Sequence, residues 1–320
     1  MNPKVSVIIP TYNRANLLPR AINSVLSQTF QDFELIVVDD ASIDNTKEVV
    51  ENFQKKDKRI RYIQRKNSGG GPTKAINAGL KVAQGEYISF LEDDDEWLPE
   101  KTEKQLELFR KSKKKNLGFV GCNVLIIDEK LKTTKTYNLP KYKDNVFLKK
   151  LLVGSKFFFN FSILIVKKEV VSEVGFLDEN LKIAADQDIY LRIAQKYSFD
   201  FVPVPLIKFH IHGSNLSRKP NYNKEMSEWL YMLEKYRDLY KNNPMANSCK
   251  QRRLGVLCLS LGDYKQSRKY LLKSIITYPL NFKAYLNLLF CLNKKIYFFS
   301  KVLKNTFIKI LKRFPFLIKK

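Results

Sequence analysis

Five consecutive acids, Glu92-Asp93-Asp94-Asp95-Glu96, follow directly on an apolar stretch that runs from Tyr87 to Leu91. Adjacent carboxylates repel one another and resist ionising together. A hard divalent cation relieves such a cluster, taking carboxylate oxygens and keeping its other positions for water and phosphate. The plainer use of the same acids is to favour the start of a helix near Pro99. A second acidic pair, Asp39-Asp40, ends the apolar run Phe33 to Val38, and a third, Asp186-Gln187-Asp188, opens a helical stretch. Taken singly, an aspartate at a strand end is a turn residue, and one opening a helix is an N-cap. His210 and His212, the chain's only histidines, lie two apart at an apparent strand end. A period of two would put them on one face.

These residues need elements that carry them to one place. Val5 to Pro10 reads as a buried strand, followed by a helix with Pro19 in its first turn. Phe33 to Val38 is a second strand, Asn45 to Lys55 a helix and Ile60 to Gln64 a third strand. The turn Gly69-Gly70-Gly71-Pro72 leads to a helix ending near Ala83 and then to the strand before the acids. Mostly continuous apolar strands alternating with helices give an α/β fold, a largely parallel sheet covered on both faces. Ligands of such sheets bind beyond the carboxyl ends of the strands. Thr11-Tyr12-Asn13-Arg14, Asp39-Asp40 and Asp93-Asp94-Asp95 all fall on that edge. A charged helix is expected from Pro99 to about Lys115, with Leu106 and Phe109 inward. Strands are expected at Phe119 to Ile127 and Phe157 to Val166, with a polar, lysine-rich link at Lys130 to Asp144. The segment Val202 to Ile211 reads as a final strand pair.

The 320 residues allow a sizeable domain with an appendage, or two domains, and 44% hydrophobic residues suffice for a core. The four cysteines have neither metal-ligand nor disulfide-framework spacing, so a reducing, cytoplasmic setting is expected. No signal peptide is read before the first strand. The ten-residue apolar run Phe157 to Val166, broken by Asn160, is too short to cross a membrane. Of the net charge of +25, the last hundred residues carry +16, from 21 basic and 5 acidic residues, and no acid follows Asp263. An anionic partner is expected there, whether lipid headgroups, nucleic acid or an acidic polymer.

The blocks Val5-Ser6-Val7-Ile8-Ile9-Pro10-Thr11-Tyr12-Asn13-Arg14, Phe33 to Ser42 and Gly85 to Trp97 together resemble the inverting glycosyltransferases of family 2, over about residues 4 to 215. The resemblance implies a GT-A fold in residues 1–218 and transfer of a sugar from a nucleoside diphosphate, UDP by family habit. It implies that Asp39 accepts a hydrogen bond from the base, with Pro10, Thr11, Tyr12, Arg14, Lys74 and Asp93 completing the nucleotide site. Asp94 and Asp95 look like ligands of Mn²⁺ or Mg²⁺, with His212 touching the diphosphate or completing the metal shell. Asp186 falls where the family carries its general base, since an acceptor hydroxyl is a poor nucleophile until its proton is being removed. Three positions depart from the family pattern. Ile76 stands where relatives have an arginine, for which Lys74 could substitute, Ala185 replaces a glutamate, and His210 replaces an arginine. The glycine turn is neither G-x-G-x-x-G nor a phosphate loop, which argues against a dinucleotide site.

Residues 219–320 read as a basic helical region. From Leu254 it resembles a tetratricopeptide repeat over 250–290, through Leu254-Gly255, Gly262-Asp263-Tyr264, Ser267, Leu271, Ser274 and Pro279, with serines at two positions usually held by alanine. One and a half repeats cannot bury a solenoid core alone. Further on, Lys301, Lys304, Lys309 and Lys312 oppose Phe299, Leu303, Phe307, Ile310 and Phe314 on a helical wheel. Such a helix either packs apolar side in or lies on an anionic membrane. The expected partners are a nucleotide sugar, a glycan or lipid-linked acceptor, and the inner face of a membrane, with nucleic acid not expected for want of a recognised motif. The rivals are a basic adaptor that kept the fold without chemistry, and a sugar nucleotidyltransferase, which would want a basic glycine-rich loop after the first strand.

Overall fold

The computed structural model describes residues 2–67, 71–139, 144–154, 160–213, 215 and 221–292. It divides into two compact units, residues 1–220 and 221–320. Gly69 and Gly70 of the expected glycine turn and the segment after Leu292, including the expected amphipathic helix, lie outside the described residues.

In the first unit, β1 (Val5–Thr11), β2 (Phe33–Asp39), β3 (Ile60–Gln64) and β4 (Tyr87–Phe90) pair in parallel in the order β3-β2-β1-β4. Every residue of β1, β2 and β4 is buried, in keeping with their largely apolar sequences, and the polar interruptions are satisfied inside: Ser6 donates to Glu34 at 2.6 Å and Ser89 to the Leu164 carbonyl at 2.7 Å. Helices α1 (Leu18–Leu26), α2 (Thr46–Lys56) and α3 (Pro72–Val82) pack on these strands. Past β4 the sheet continues through β8 (Ile165–Lys167), β6 (Leu117–Asp128), β9 (Ser198–Ile211) and β5 (Glu96–Trp97), with β7 (Thr133–Tyr137) beside β6. Of these, β8, β5 and β7 run antiparallel to their neighbours. Helices α4 (Lys101–Lys111), α5 (Asp144–Val153), α6 (Lys168–Val174) and α7 (Ala185–Ala194) complete the unit.

Three expectations are corrected. Within the run read as a strand from Phe157, Asn160 Oδ1 accepts from the Ser162 amide at 2.6 Å, and a 3₁₀ turn, Phe161–Ile163, replaces the pleat. Among the described residues of that run, paired strand begins only at β8. The segment 202–211 is not a strand pair but part of one strand, β9, whose register against β6 slips between Cys122 and Val124, where Pro203 and Pro205 deny it ladder donors. The most buried positions of α4 are Lys101, Thr102 and Gln105, while Leu106 and Phe109 are half-buried, Phe109 with its ring centre 5.0 Å from that of Tyr87 in β4. Gln105 repays its burial by donating to the Val120 and Ile163 carbonyls at 3.0 and 2.9 Å. The Lys101 ammonium sits 3.9 Å from the Trp97 ring centre and donates to Gln105 Oε1 at 2.8 Å. Burial holds its pKa down at about 7.

The second unit is helical: α8 (Tyr222–Lys235), α9 (Arg237–Lys241), α10 (Pro244–Ser260), α11 (Tyr264–Thr277) and α12 (Phe282–Leu292). Gly255 lets α10 approach α11, since a Cβ there would stand 2.7 Å from Leu271 Cγ. Ser267 donates to the Gly255 carbonyl at 2.7 Å and Ser274 to the Ser248 carbonyl at 2.8 Å, so the two serines bond the helices where alanines would only pack. Leu259, Leu271 and Cys291 form the buried cluster joining α10, α11 and α12. No helix among the described residues is long and apolar enough to cross a membrane.

Candidate active site

The register of β1 on β2 sets Thr11 beside Asp39 at the carboxyl edge of the sheet. Pro10 is buried one residue earlier, paired with Val38. The two loops beyond are joined to each other. Asn13 donates its amide to Ser42 Oγ and accepts from the Ile43 amide on Oδ1, both at 2.8 Å. Asp39 is fully buried, its Oδ1 accepting from the Ser42 amide at 2.8 Å and its Oδ2 from the Tyr62 hydroxyl at 2.5 Å. Burial and this carboxylate push the Tyr62 phenol well above its ordinary pKa. Each carboxylate oxygen can take more than one donor, so Asp39 keeps capacity for a base N–H. Tyr12 beside it is 47% exposed, leaving a ring face for stacking. Ala41, Ser42, Ile43, Gln64, Arg65 and Lys66 line an adjoining open cleft of about 400 Å³.

Arg14 links this pocket to the acids. Its Nη1 donates to Asp93 Oδ1 and Asp94 Oδ2, both at 2.7 Å. Arg20 donates to the Asp94 carbonyl at 2.7 Å and to Glu129 at 3.1 Å. Glu92, Asp94 and Asp95 bring ligand oxygens within 4.8 Å of one another, with Asp94 and Asp95 buried and Glu92 partly exposed. Asp95 Oδ2 accepts from Ser162 Oγ at 2.8 Å and Asn160 Nδ2 at 3.2 Å, which is why the chain breaks its strand at Asn160. Oδ1 of Asp94 and Oδ1 of Asp95 are buried with no hydrogen-bond partner among the described residues.

The electrostatics show what this costs. Burial, then Asp94, pushes Asp95 up to about 8. Burial pushes Asp93 up to about 6 against the opposing pull of Arg14. Glu92 is raised well above its usual value by burial, then by Asp95, Asp94, Asp186 and Asp93. Two orphaned buried oxygens in an all-oxygen set fit Mg²⁺ or Mn²⁺.

The field of Asp186 at Glu92 puts the first turn of α7 within electrostatic reach of the cluster. Asp186 is not an N-cap: Ala184 holds that place, and Asp186 Oδ1 accepts from the Gln187 amide at 2.6 Å. Its segment is held from two sides. On α3, Thr73 donates to the Leu181 carbonyl at 2.6 Å, and Asn77 donates to the Leu177 carbonyl and accepts its amide, at 2.9 and 3.0 Å. Arg192 on α7 donates to Asp188 and to the carbonyls of Val174, Gly175 and Phe176, at 2.6 to 2.9 Å. Lys74 lies half-buried in the first turn of α3 with no hydrogen bond or ion pair to the described residues, whereas Ile76 is buried in the core.

The two histidines meet different carboxylates. His210 Nδ1 stands 3.1 Å from Glu129 Oε1 and Nε2 stands 3.8 Å from Glu96, and burial lowers its pKa. His212, past the end of β9, places Nε2 3.3 Å from Asp94 Oδ2. Asn215, which sequence reasoning missed, binds both sides of this contact. Its Oδ1 accepts from the His212 amide at 2.6 Å, and its Nδ2 stands 3.0 Å from the His210 carbonyl, 3.2 Å from His212 Nε2 and 3.3 Å from Asp94 Oδ2. Glu92, Asn160, Ser162 and Arg20 were likewise not assigned, although the polar interruption at Asn160 was a usable signal.

The glycosyl transferase family 2 model matches residues 6–175. An uncharacterized glycosyltransferase of Rickettsia prowazekii is 32% identical over 247 residues, 75% of this chain and 71% of that protein. Two longer rickettsial relatives are covered over little more than a third of their length. The GalNAc(5)-diNAcBac-PP-undecaprenol beta-1,3-glucosyltransferase of Campylobacter jejuni is 53% identical over 96 residues, 30% of this chain and 31% of that one. Among solved structures, residues 1–349 of Staphylococcus aureus TarS in complex with UDP-GlcNAc align with a TM-score of 0.62 at 18% identity, covering 86% of this chain and 81% of that one. This likeness shows the GT-A-like fold. A family match over more than half of the sequence, with a relative sharing about a third of its residues across most of both chains, makes this protein a member of glycosyltransferase family 2.

Proposed function

We propose that the protein is a metal-dependent, inverting glycosyltransferase that moves a sugar from a nucleoside diphosphate, UDP by preference, to a hydroxyl of a glycan or lipid-linked acceptor. The observation that carries this reading is the approach of Glu92, Asp94 and Asp95 oxygens to within 4.8 Å, with Asp186 adding to their field from a separate helix. Asp39 and Tyr12 receive the base, and Arg14, Asp93 and Lys74 border the phosphates. Glu92, Asp94, Asp95 and His212 would hold the cation, which when bound neutralises charge on the diphosphate. Asp186 takes the proton of the acceptor hydroxyl as its oxygen bonds to the anomeric carbon. The bond from that carbon to the diphosphate oxygen breaks on the opposite side, with both electrons leaving on the diphosphate. In-line displacement inverts the anomeric configuration.

The UDP-GlcNAc complex of TarS supports a UDP donor, and the Campylobacter relative supports a polyprenyl-linked acceptor in surface glycan synthesis. The charge of the C-terminal unit supports a peripheral position on the inner face of a membrane through residues 299–314, and the Gly255–Leu271 approach supports the tetratricopeptide-like reading of the hairpin. An adaptor would have no use for buried acids that raise one another's pKa. Transfer assays with a panel of nucleotide sugars, with and without chelator, test the proposal. Chelator-insensitive transfer, or a product that retains the donor's anomeric configuration, would overturn it.

A further inference from the structure

We propose that the surface made by α11, α12 and the turn between them is a docking face for an anionic bilayer. Ile276 is 79% exposed, Phe282 74%, Leu280 63%, Leu289 57%, Leu286 51% and Leu272 47%, a concentration of large apolar side chains without equal among the described residues. Phe282, Leu286 and Leu289 recur at helical spacing on one face of α12, while Ala284 and Cys291 are buried on the other. They therefore form a continuous exposed stripe rather than scattered surface residues.

The charge around the stripe selects the occupant. Residues 264–292 hold five cations, Lys265, Arg268, Lys269, Lys273 and Lys283, all exposed, and no acid. The sequence beyond adds nine more cations and again no acid. Apolar side chains ringed by cations of one sign match a surface with an apolar interior and anionic headgroups. Tyr285, 41% exposed on the same face, has the polar-tipped ring suited to that boundary. With no described helix able to span, the contact lies in the interface plane. This inference rests on the reading of the C-terminal unit as membrane-facing, but it assigns the contact to named residues outside 299–314 and is independent of the chemistry at the acids.

The test is sedimentation of the full chain with vesicles of phosphatidylcholine alone or with 30% phosphatidylglycerol. Wild type is expected to bind the mixed vesicles and to lose affinity in high salt. The combined variant Ile276→Glu, Phe282→Glu, Leu286→Glu changes only exposed positions and is expected to bind at least tenfold more weakly. Its melting point and metal-dependent donor hydrolysis in solution should stay at wild-type values. A companion variant reverses Lys301, Lys304, Lys309 and Lys312 to glutamate. If only the companion loses binding, the terminal segment carries the contact and the docking face is refuted. A wild-type dimer that the triple variant splits into monomers would also refute it, by showing that the stripe meets a second copy. Absence of wild-type binding to either vesicle would refute both membrane contacts and leave the catalytic proposal standing.

Discussion

Replacing Asn215 with alanine removes a side chain that touches His212, Asp94 and the end of β9 together. The His212 amide and the His210 carbonyl lose their Asn215 partners in a buried setting, and a buried group left unpaired costs about 1–3 kcal/mol. Taking about 2 kcal/mol, and about 2–4 °C per kcal/mol for a unit of this size, the first unit should melt about 4–8 °C lower. The larger effect falls on the cation. Groups that orient metal ligands are worth about 10–100-fold in affinity, so Mn²⁺ titrated into Asn215→Ala by calorimetry should bind that much more weakly. Asn215→Asp separates orientation from charge. It keeps an acceptor for the His212 amide but sets a carboxylate against Asp94. The metal-free variant should melt lower than wild type, yet gain more from added Mn²⁺. A folded Asn215→Ala protein with unchanged Mn²⁺ affinity would refute the reasoning.

Asp186→Asn is expected to lower transfer by about 10²–10⁴-fold while UDP-sugar affinity stays near wild type; unimpaired transfer would remove the proposed base. Asp93 and Asp95, at about 6 and about 8, lie above the unfolded carboxyl value of about 3.9. The folded chain thus holds protons that the unfolded chain has released, and metal-free stability from this source falls as pH rises from about 4 to 8. Melting of the metal-free protein should show that fall and Mn²⁺ should abolish it; an unchanged slope with Mn²⁺ would count against the site. Lys101 acts with the opposite sign, because its pKa of about 7 is below the unfolded lysine value, so its cost is full under pH 7 and fades towards pH 10. Lys101→Met should therefore stabilise by on the order of 1–3 kcal/mol at pH 6 and by less at pH 9, read from paired denaturant melts.

The first half of the sheet was legible because β1, β2 and β4 are mostly apolar and each leads into the polar residues of the candidate site. Asp39, Asp94 and Asp95 sit at strand ends that periodicity alone locates. The second half was harder to read for a physical reason. Asn160 and Ser162 hold Asp95, and from Asn160 onward the expected strand gives a 3₁₀ turn before β8. Lys101 and Gln105 occupy the inner side of α4, against the hydrophobic pattern, because carbonyls and an aromatic ring receive them. Asn215 had no signal, since its partners come from separated stretches that only the folded sheet edge brings together.

The tie between α3 and the Asp186 segment has a consequence for altering the sugar that such an enzyme accepts. Thr73 and Asn77 flank Lys74 on one helix, and their bonds run to Leu177 and Leu181, a few residues ahead of the proposed base. On the proposed reading, repacking that helix to admit a different donor would also shift the segment that leads to Asp186. Selectivity and turnover would then not be independent dials, and redesign would start more safely from the β2–β3 rim, where Ser42 and Gln64 line the cleft.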